Sequence, residues 1–173
     1  MDLCDHSTIQ ALLNRHGFHF SKSMGQNFLI QGWVPDGLVD GAGVSLENGV
    51  LEVGPGIGPL TVRLARAASK VVSVELDRSL LPVLEETLAG LDNVEVLCGD
   101  ILKLDIGALA DEKFPGLTPM ACANLPYNIT TPVLTALIDS RRFARITVMI
   151  QREVARRICA APGTPDYGAF SIY

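Results

Sequence analysis

The sequence has no stretch approaching the roughly 20 uncharged apolar residues that a membrane-spanning helix needs. Its first residues, MDLCDHST, have neither a basic start nor an apolar centre, so they do not read as a secretory signal, and a cytoplasmic protein is the expectation. The four cysteines (Cys4, Cys98, Cys122, Cys159) include no CxxC pair, which favours free thiols in a reducing compartment over a disulfide frame or a zinc site. Histidine is scarce: His6, His16 and His19 offer no metal-ligand spacing, and no metal is expected. What is abundant is apolar residue, 48% of 173, enough for one globular domain with a real core. Net charge is −5, which argues mildly against nucleic acid, but its distribution matters more than its sum. Six of the fourteen basic residues fall between Arg141 and Arg157, with Glu153 the only acid among them. Such a strip is either a solvated helix face or an RNA-binding one.

There is no internal repeat and no low-complexity segment. Ser7 is placed to cap a first helix running to about residue 16, with Ile9, Leu12 and Leu13 on one face and Gly17 ending it. Residues 18–30 form a connector without period, and a further helix is expected around residues 35–40. From Gly49 onward, short apolar runs alternate with helical segments. Strands are expected at 49–53, 70–75, 94–98, 119–123 and 146–150, and helices at 59–68, 80–89, 132–140 and 152–161. The stretch between the third and fourth strands reads as polar and rich in turn formers. Strands apolar throughout, separated by amphipathic helices, mean an α/β protein with a mostly parallel sheet covered on both faces. The chain thus divides into N-terminal helices and connector (1–48) and an α/β core (49–173). In such sheets ligands sit beyond the carboxyl ends of the strands, so the residues there carry the chemistry.

The first strand runs into Gly54-Pro55-Gly56-Ile57-Gly58. Glycines let the chain turn tightly and bring backbone amides to a ligand at a helix N-terminus, although a glycine loop also serves as a plain tight turn. The dinucleotide fingerprint wants its third glycine three residues past the second, where this chain has Pro59. G-x-G-x-G preceded two residues earlier by an acid, Glu52, resembles the S-adenosylmethionine loop instead. Glu75, ending the second strand, is either an acceptor for both ribose hydroxyls or a strand-end surface charge. Asp100, after the third strand, is either an acceptor for the amino group of an adenine or the N-cap of the following turn. The most specific signal is Asn124-Leu125-Pro126-Tyr127 after the fourth strand. It resembles the (Asn/Asp/Ser)-Pro-Pro-(Tyr/Phe) motif of methyltransferases acting on exocyclic amino groups of bases. The chemistry accounts for it: the amine lone pair is delocalised into the ring and must be localised and aimed. The Asn124 side-chain oxygen and the Leu125 carbonyl would accept from the amine N–H groups, and Tyr127 would stack on the flipped base.

Four segments carry a closer resemblance: SKSMGQNFLI (21–30), VLEVGPGIGPLT (50–61), ANLPYNITTPVL (123–134) and QREVARRICAAPGTPDYGAFS (151–171). In order and spacing they are similar to the bacterial 16S ribosomal RNA adenine dimethyltransferase family. The sister family acting on 23S RNA usually reads Ile where Leu125 stands. The resemblance implies a Rossmann-like S-adenosylmethionine-dependent methyltransferase fold, with Asn27 and Leu29 of a cofactor-covering GQNFL segment, Gly54, Gly56, Glu75, Asp100 and Asn124 at the cofactor. It places Asn124, Leu125, Pro126 and Tyr127 at the target base. It implies two methyl transfers onto each of two adjacent adenosines of the 3′-terminal hairpin in an assembling small subunit, each releasing S-adenosylhomocysteine. The basic strip supplies Arg152, Arg156 and Arg157 as RNA contacts, on a helix whose Val154, Ile158 and Ala161 would face the sheet. The family sheet has seven strands, so its last two and a helical domain would follow Tyr173, and the chain reads as shortened. Two other readings stand beside this one. A dinucleotide-dependent oxidoreductase would leave Asn124–Tyr127 without a task, whereas a ribosome-assembly or nucleic-acid-binding factor without turnover would keep the fold.

Overall fold

Side chains alternate across a strand, so a strand apolar at every position must be covered on both faces. The computed structural model, which describes residues 1–18 and 31–172, is built on that rule. Strands β1 (Asn48–Val53), β2 (Lys70–Glu75), β3 (Val94–Cys98), β4 (Thr118–Asn124) and β5 (Arg145–Met149) form one sheet in the order β3-β2-β1-β4-β5. Every neighbouring pair is parallel. The helices are α1 (His6–Arg15), α2 (Trp33–Ala42), α3 (Pro59–Ala67), α4 (Leu81–Thr87), α5 (Ile106–Lys113), α6 (Thr130–Asp139), α7 (Arg152–Ile158) and α8 (Ala169–Ile172). The chain winds outward from β1 through β2 to β3, then returns to the other side of β1 for β4 and β5. Strand order therefore reverses between β1 and β4, and the crevice beyond their carboxyl ends is the place for a ligand.

Register shows how the two faces are filled. Leu51 pairs with Val72 and Ala121, and Val53 with Val74. These side chains pack with Ile106, Ala110 and Phe114 and with Val133 and Leu137 of α6. One residue along, Val50 pairs with Val71 and Met120, on the opposite face against Leu60 and Leu64 of α3. Outward of that layer, Val83 and Leu84 of α4 meet Ile9, Leu12 and Leu13 of α1. The α1 contact is fastened by Glu86, which accepts from Arg15 at 2.5 Å and lies 2.6 Å from His16 Nε2. Arg145 donates to the Ala42 carbonyl at 2.9 Å, closing the C-terminus of α2 from β5.

Several expectations are corrected. The cap of α1 is Asp5, whose carboxylate accepts from the Thr8 amide at 2.8 Å, while Ser7 donates to that carboxylate. An aspartate can take both donors at once, which a hydroxyl cannot do as well. The turn-rich stretch contains α5, capped by Asp105 on the Ala108 amide at 2.9 Å. Its buried side is only Ile106 and Ala110, completed by Phe114 just past its end, so the helical period is thin. Helix α7 buries none of its residues and packs chiefly on α8. Val154 and Ile158 are half-buried and Ala161 is exposed, contrary to the expected seat on the sheet. The reason is that β5 is the sheet edge among the described residues and is itself only half-buried, so it offers α7 little apolar surface.

Candidate functional site

Three strand ends and one glycine loop meet at the crevice. Gly54, Gly56 and Gly58 all have positive φ (68°, 61° and 91°), a conformation costly for any residue with a Cβ. Gly58 then opens α3, with Pro59 at its first position, where the missing N–H costs nothing. The loop is pinned from β2. Gly54 N–H donates to the Val74 carbonyl at 2.9 Å, and Gly56 N–H to Glu75 Oε2 at 3.3 Å. Glu75 Oε1 accepts from Asp77 N–H at 2.8 Å, and the Glu75 side chain is only 6% exposed. Burial pushes its carboxyl above the usual range, with the two backbone amides pulling the other way. A strand-end surface charge is therefore the wrong description of Glu75; it is an inward acceptor at the crevice.

Asp100 follows β3 and takes the capping role: its Oδ1 accepts from Leu102 N–H at 3.0 Å. Its Oδ2 is 3.8 Å from Lys103 Nζ.

The Asn-Leu-Pro-Tyr segment closes the crevice from β4. Asn124 ends the strand, and Leu125 is buried, with its N–H donating to the Met149 carbonyl at 3.1 Å. Pro126 lies against the glycine loop. A Cβ added to Gly54 would stand 3.4 Å from Pro126 Cγ, an ordinary van der Waals distance, so the two segments are direct neighbours, while the positive φ of Gly54 is what calls for glycine. Tyr127 is 41% exposed, leaving much of its ring available to a flat partner. The structure thus brings Gly54, Gly56, Glu75, Leu125 and Pro126 to one crevice, with Asn124 and Tyr127 on the same segment. Asn27 and Leu29 lie outside the described residues. Arg152, Arg156 and Arg157 sit together on exposed α7, where Arg157 pairs with Glu153 at 2.9 Å. Neither Arg152 nor Arg156 pairs with a carboxylate among the described residues.

Two inward polar residues escaped the sequence reading. Glu52 entered it only as the acid before the glycines, yet it is 1% exposed, and its Oε2 accepts from Thr61 at 2.7 Å and Ser73 at 2.6 Å. The signal was available: Ser73 pairs with Glu52 in register, a polar pair inside two apolar strands. The second is Thr130, buried at the start of α6 with its hydroxyl donating to the Pro126 carbonyl at 3.1 Å. Among the described residues no group of three or more His, Cys, Asp or Glu could hold a metal, and no helix is long and apolar enough to cross a membrane.

A glycine loop with every glycine in the left-handed region, an inward carboxylate at the next strand end and a second carboxylate, Asp100, after the third strand fit an adenosine-bearing cofactor. Together with the five-stranded topology they define a Rossmann-like S-adenosylmethionine-dependent methyltransferase fold. A solved dimethyladenosine transferase from Plasmodium falciparum superposes with a TM-score of 0.70 at 30% identity, over 82% of this chain and 50% of its own. The 23S rRNA methyltransferase ErmE gives 0.67 at 31%, over 82% and 53%. The profile of the ribosomal RNA adenine dimethylase family matches residues 17–173, and the chain belongs to that family. It is 49% identical over 162 residues to ribosomal RNA small subunit methyltransferase A of Alkaliphilus oremlandii, covering 93% of this chain and 56% of the relative. With the protein of that name from Lysinibacillus sphaericus the identity is 50% over 165 residues, covering 94% and 56%. The chain therefore spans just over half the length of these curated relatives.

Proposed function

We propose that this chain forms the catalytic core of an S-adenosylmethionine-dependent enzyme that dimethylates the 6-amino groups of two adjacent adenosines in the 3′-terminal hairpin of 16S rRNA, during small-subunit assembly in the cytoplasm. One observation carries the reading: Pro126 of the Asn-Leu-Pro-Tyr segment lies directly against Gly54 of the cofactor loop. The contact supports a reading in which the segment that receives the base adjoins the loop that receives the nucleoside. The curated relatives at about 50% identity are named for small-subunit RNA, which favours the 16S substrate.

In this reading Gly54 and Gly56 let the backbone approach the cofactor, Glu75 accepts from its ribose hydroxyls, and Asp100 accepts from its adenine through the oxygen not engaged in capping. Asn27 and Leu29 cover it. When bound, the cofactor would supply an electrophilic methyl on a sulfonium, with S-adenosylhomocysteine as the co-product. The protein's task is alignment. Asn124 and the Leu125 carbonyl accept from the target amine and hold its lone pair in line with the bond to be broken, while Tyr127 stacks on the base. The nitrogen becomes cationic as the new bond forms and then loses its proton to water, so no strong base is required. Arg152, Arg156 and Arg157 meet phosphates of the rRNA.

The test is isothermal titration with S-adenosylmethionine followed by methyl transfer to immature small subunits, using the full-length protein and its Asn124→Ala variant. Turnover should fall ~100-fold or more in the variant, the scale for losing one preorganised partner, with a much smaller loss of cofactor affinity. Equal losses would make Asn124 a cofactor ligand only. Cofactor binding without any transfer by the wild type would make the protein a non-catalytic assembly factor, and transfer to 23S rather than 16S RNA would move it to the sister specificity.

A further inference from the structure

The Asn-Leu-Pro-Tyr segment offers two backbone carbonyls, and the structure treats them differently. The Pro126 carbonyl accepts from Ile129 N–H at 3.2 Å and from Thr130 Oγ1 at 3.1 Å. A carbonyl oxygen has two lone pairs, so this one is fully engaged and turned toward the start of α6. The Leu125 carbonyl accepts from no group among the described residues. Leu125 N–H donates to the Met149 carbonyl at 3.1 Å, continuing the β4–β5 ladder. The next bond of a parallel ladder would run from Gln151 N–H to the Leu125 carbonyl, and among the described residues it is not made. The ladder opens at the residue where the crevice begins.

Thr130 secures this division. A threonine hydroxyl at a helix start often bonds the carbonyl four residues back, and such a bond usually has no consequence beyond satisfying a hydroxyl. Here two features give it one. Its acceptor lies inside the base-binding segment rather than in a preceding turn of helix, and α6 has no side-chain cap of its own. Thr130 is also 2% exposed, one of few buried polar side chains, so its hydroxyl has no water to turn to.

We propose that Thr130 is a positioning residue for methyl transfer: by holding the Pro126 carbonyl into the body of the protein, it leaves the Leu125 carbonyl, beside Asn124, as the backbone acceptor for the target amine. The proposal rests on the methyltransferase reading above. An unlatched Pro126–Tyr127 peptide can rotate, carrying the Leu125 carbonyl and the Tyr127 ring off their alignment. Misplacement of about 1 Å at a reacting centre costs as much as 10²-fold in rate.

The experiment compares wild type, Thr130→Val, Thr130→Ala and Thr130→Ser in the full-length protein, reading cofactor affinity by calorimetry, thermal unfolding, and kcat and KM on immature small subunits. Valine keeps the branched shape and removes the donor; serine keeps the donor and removes the methyl. The expected result is a kcat lowered about tenfold or more in Thr130→Val, with cofactor affinity and KM within about twofold, and restoration in Thr130→Ser. Should the valine variant fail to fold, Thr130→Ala, which introduces no new bulk, is expected to give the same split. Folded variants lacking the hydroxyl with kcat within twofold of wild type would overturn the proposal, as would a serine variant as slow as valine. An inactive wild type would instead overturn the reading on which the proposal stands.

Discussion

Glu52 lies inside the protein two residues before Gly54, and replacing it should change how stability depends on pH. Burial pushes its carboxyl up to about 7 from an ordinary 4.5; the hydroxyls of Ser73 and Thr61 offset part of that, and the nearby Glu75 carboxylate adds to it. Beside it Cys122, whose thiol burial pushes up to about 12, adds no charge of its own near neutral pH. Below pH 4.5 the group is protonated whether the chain is folded or not. Between 4.5 and 7 only the folded protein keeps the proton, so stability is lost as pH rises through that window. Above 7 the folded protein carries a buried carboxylate, and the loss is complete. At about 1.36 kcal/mol per pH unit the whole effect is about 3 kcal/mol, of which about 2.5 falls between pH 5 and pH 8. That is a large fraction of the 5–15 kcal/mol typical of a domain. Glu52→Gln keeps the side-chain shape and an oxygen to accept from Thr61 and Ser73, but it cannot ionise. Urea unfolding of wild type and Glu52→Gln across this range should give stabilities whose difference, wild type minus variant, falls by about 2.5 kcal/mol from pH 5 to pH 8. Parallel profiles would refute the reasoning and mean that Glu52 is ionised in the folded protein even at pH 5.

Two further perturbations follow from the geometry. A Cβ added at Gly49 would stand 2.2 Å from Phe114 Cδ1, so Gly49→Ala should lower stability by about 1–3 kcal/mol or more in urea unfolding, and Gly49→Ala with Phe114→Leu should recover part of it. An unchanged midpoint in the single variant would mean that α5 shifts freely. Reversing Arg156 and Arg157 to glutamate in the full-length protein should weaken small-subunit binding and flatten its salt dependence by about one unit of log–log slope for each phosphate no longer neutralised, with cofactor affinity unaltered. Because Arg157 already shares its charge with Glu153, most of the effect should come from Arg156; if neither changes binding, α7 is an ordinary solvated helix.

The parts of this protein legible in its sequence are those that a local pattern dictates. Lys70–Glu75 begins and ends where its apolar run does, because a strand covered on both faces can carry no other pattern for long, whereas Val94–Cys98, half-buried at the sheet edge, is marked by alternating Val94, Val96 and Glu95. The convergence of the candidate site residues after β1, β2 and β4 is legible for a related reason: parallel strands joined by helices deliver every such loop to one edge of the sheet. Helix α5 was hidden because Phe114, the residue that completes its buried side, lies beyond its end and matches the bare backbone of Gly49, far away in sequence. Helix α7 departs from the periodicity of its apolar residues because half-buried β5 offers it little neighbouring surface. Asp100 caps the turn after β3 through one oxygen, and its sequence position alone does not distinguish that role from an adenine acceptor, since both use the same side chain. The carbonyls of Leu125 and Pro126 mark the deeper limit. Every residue has one carbonyl, so no letter in Asn-Leu-Pro-Tyr can say which of them is engaged. That is decided by a hydroxyl four residues on and by the point at which the β4–β5 ladder opens. Which carbonyl of the segment is engaged is thus set by residues outside it.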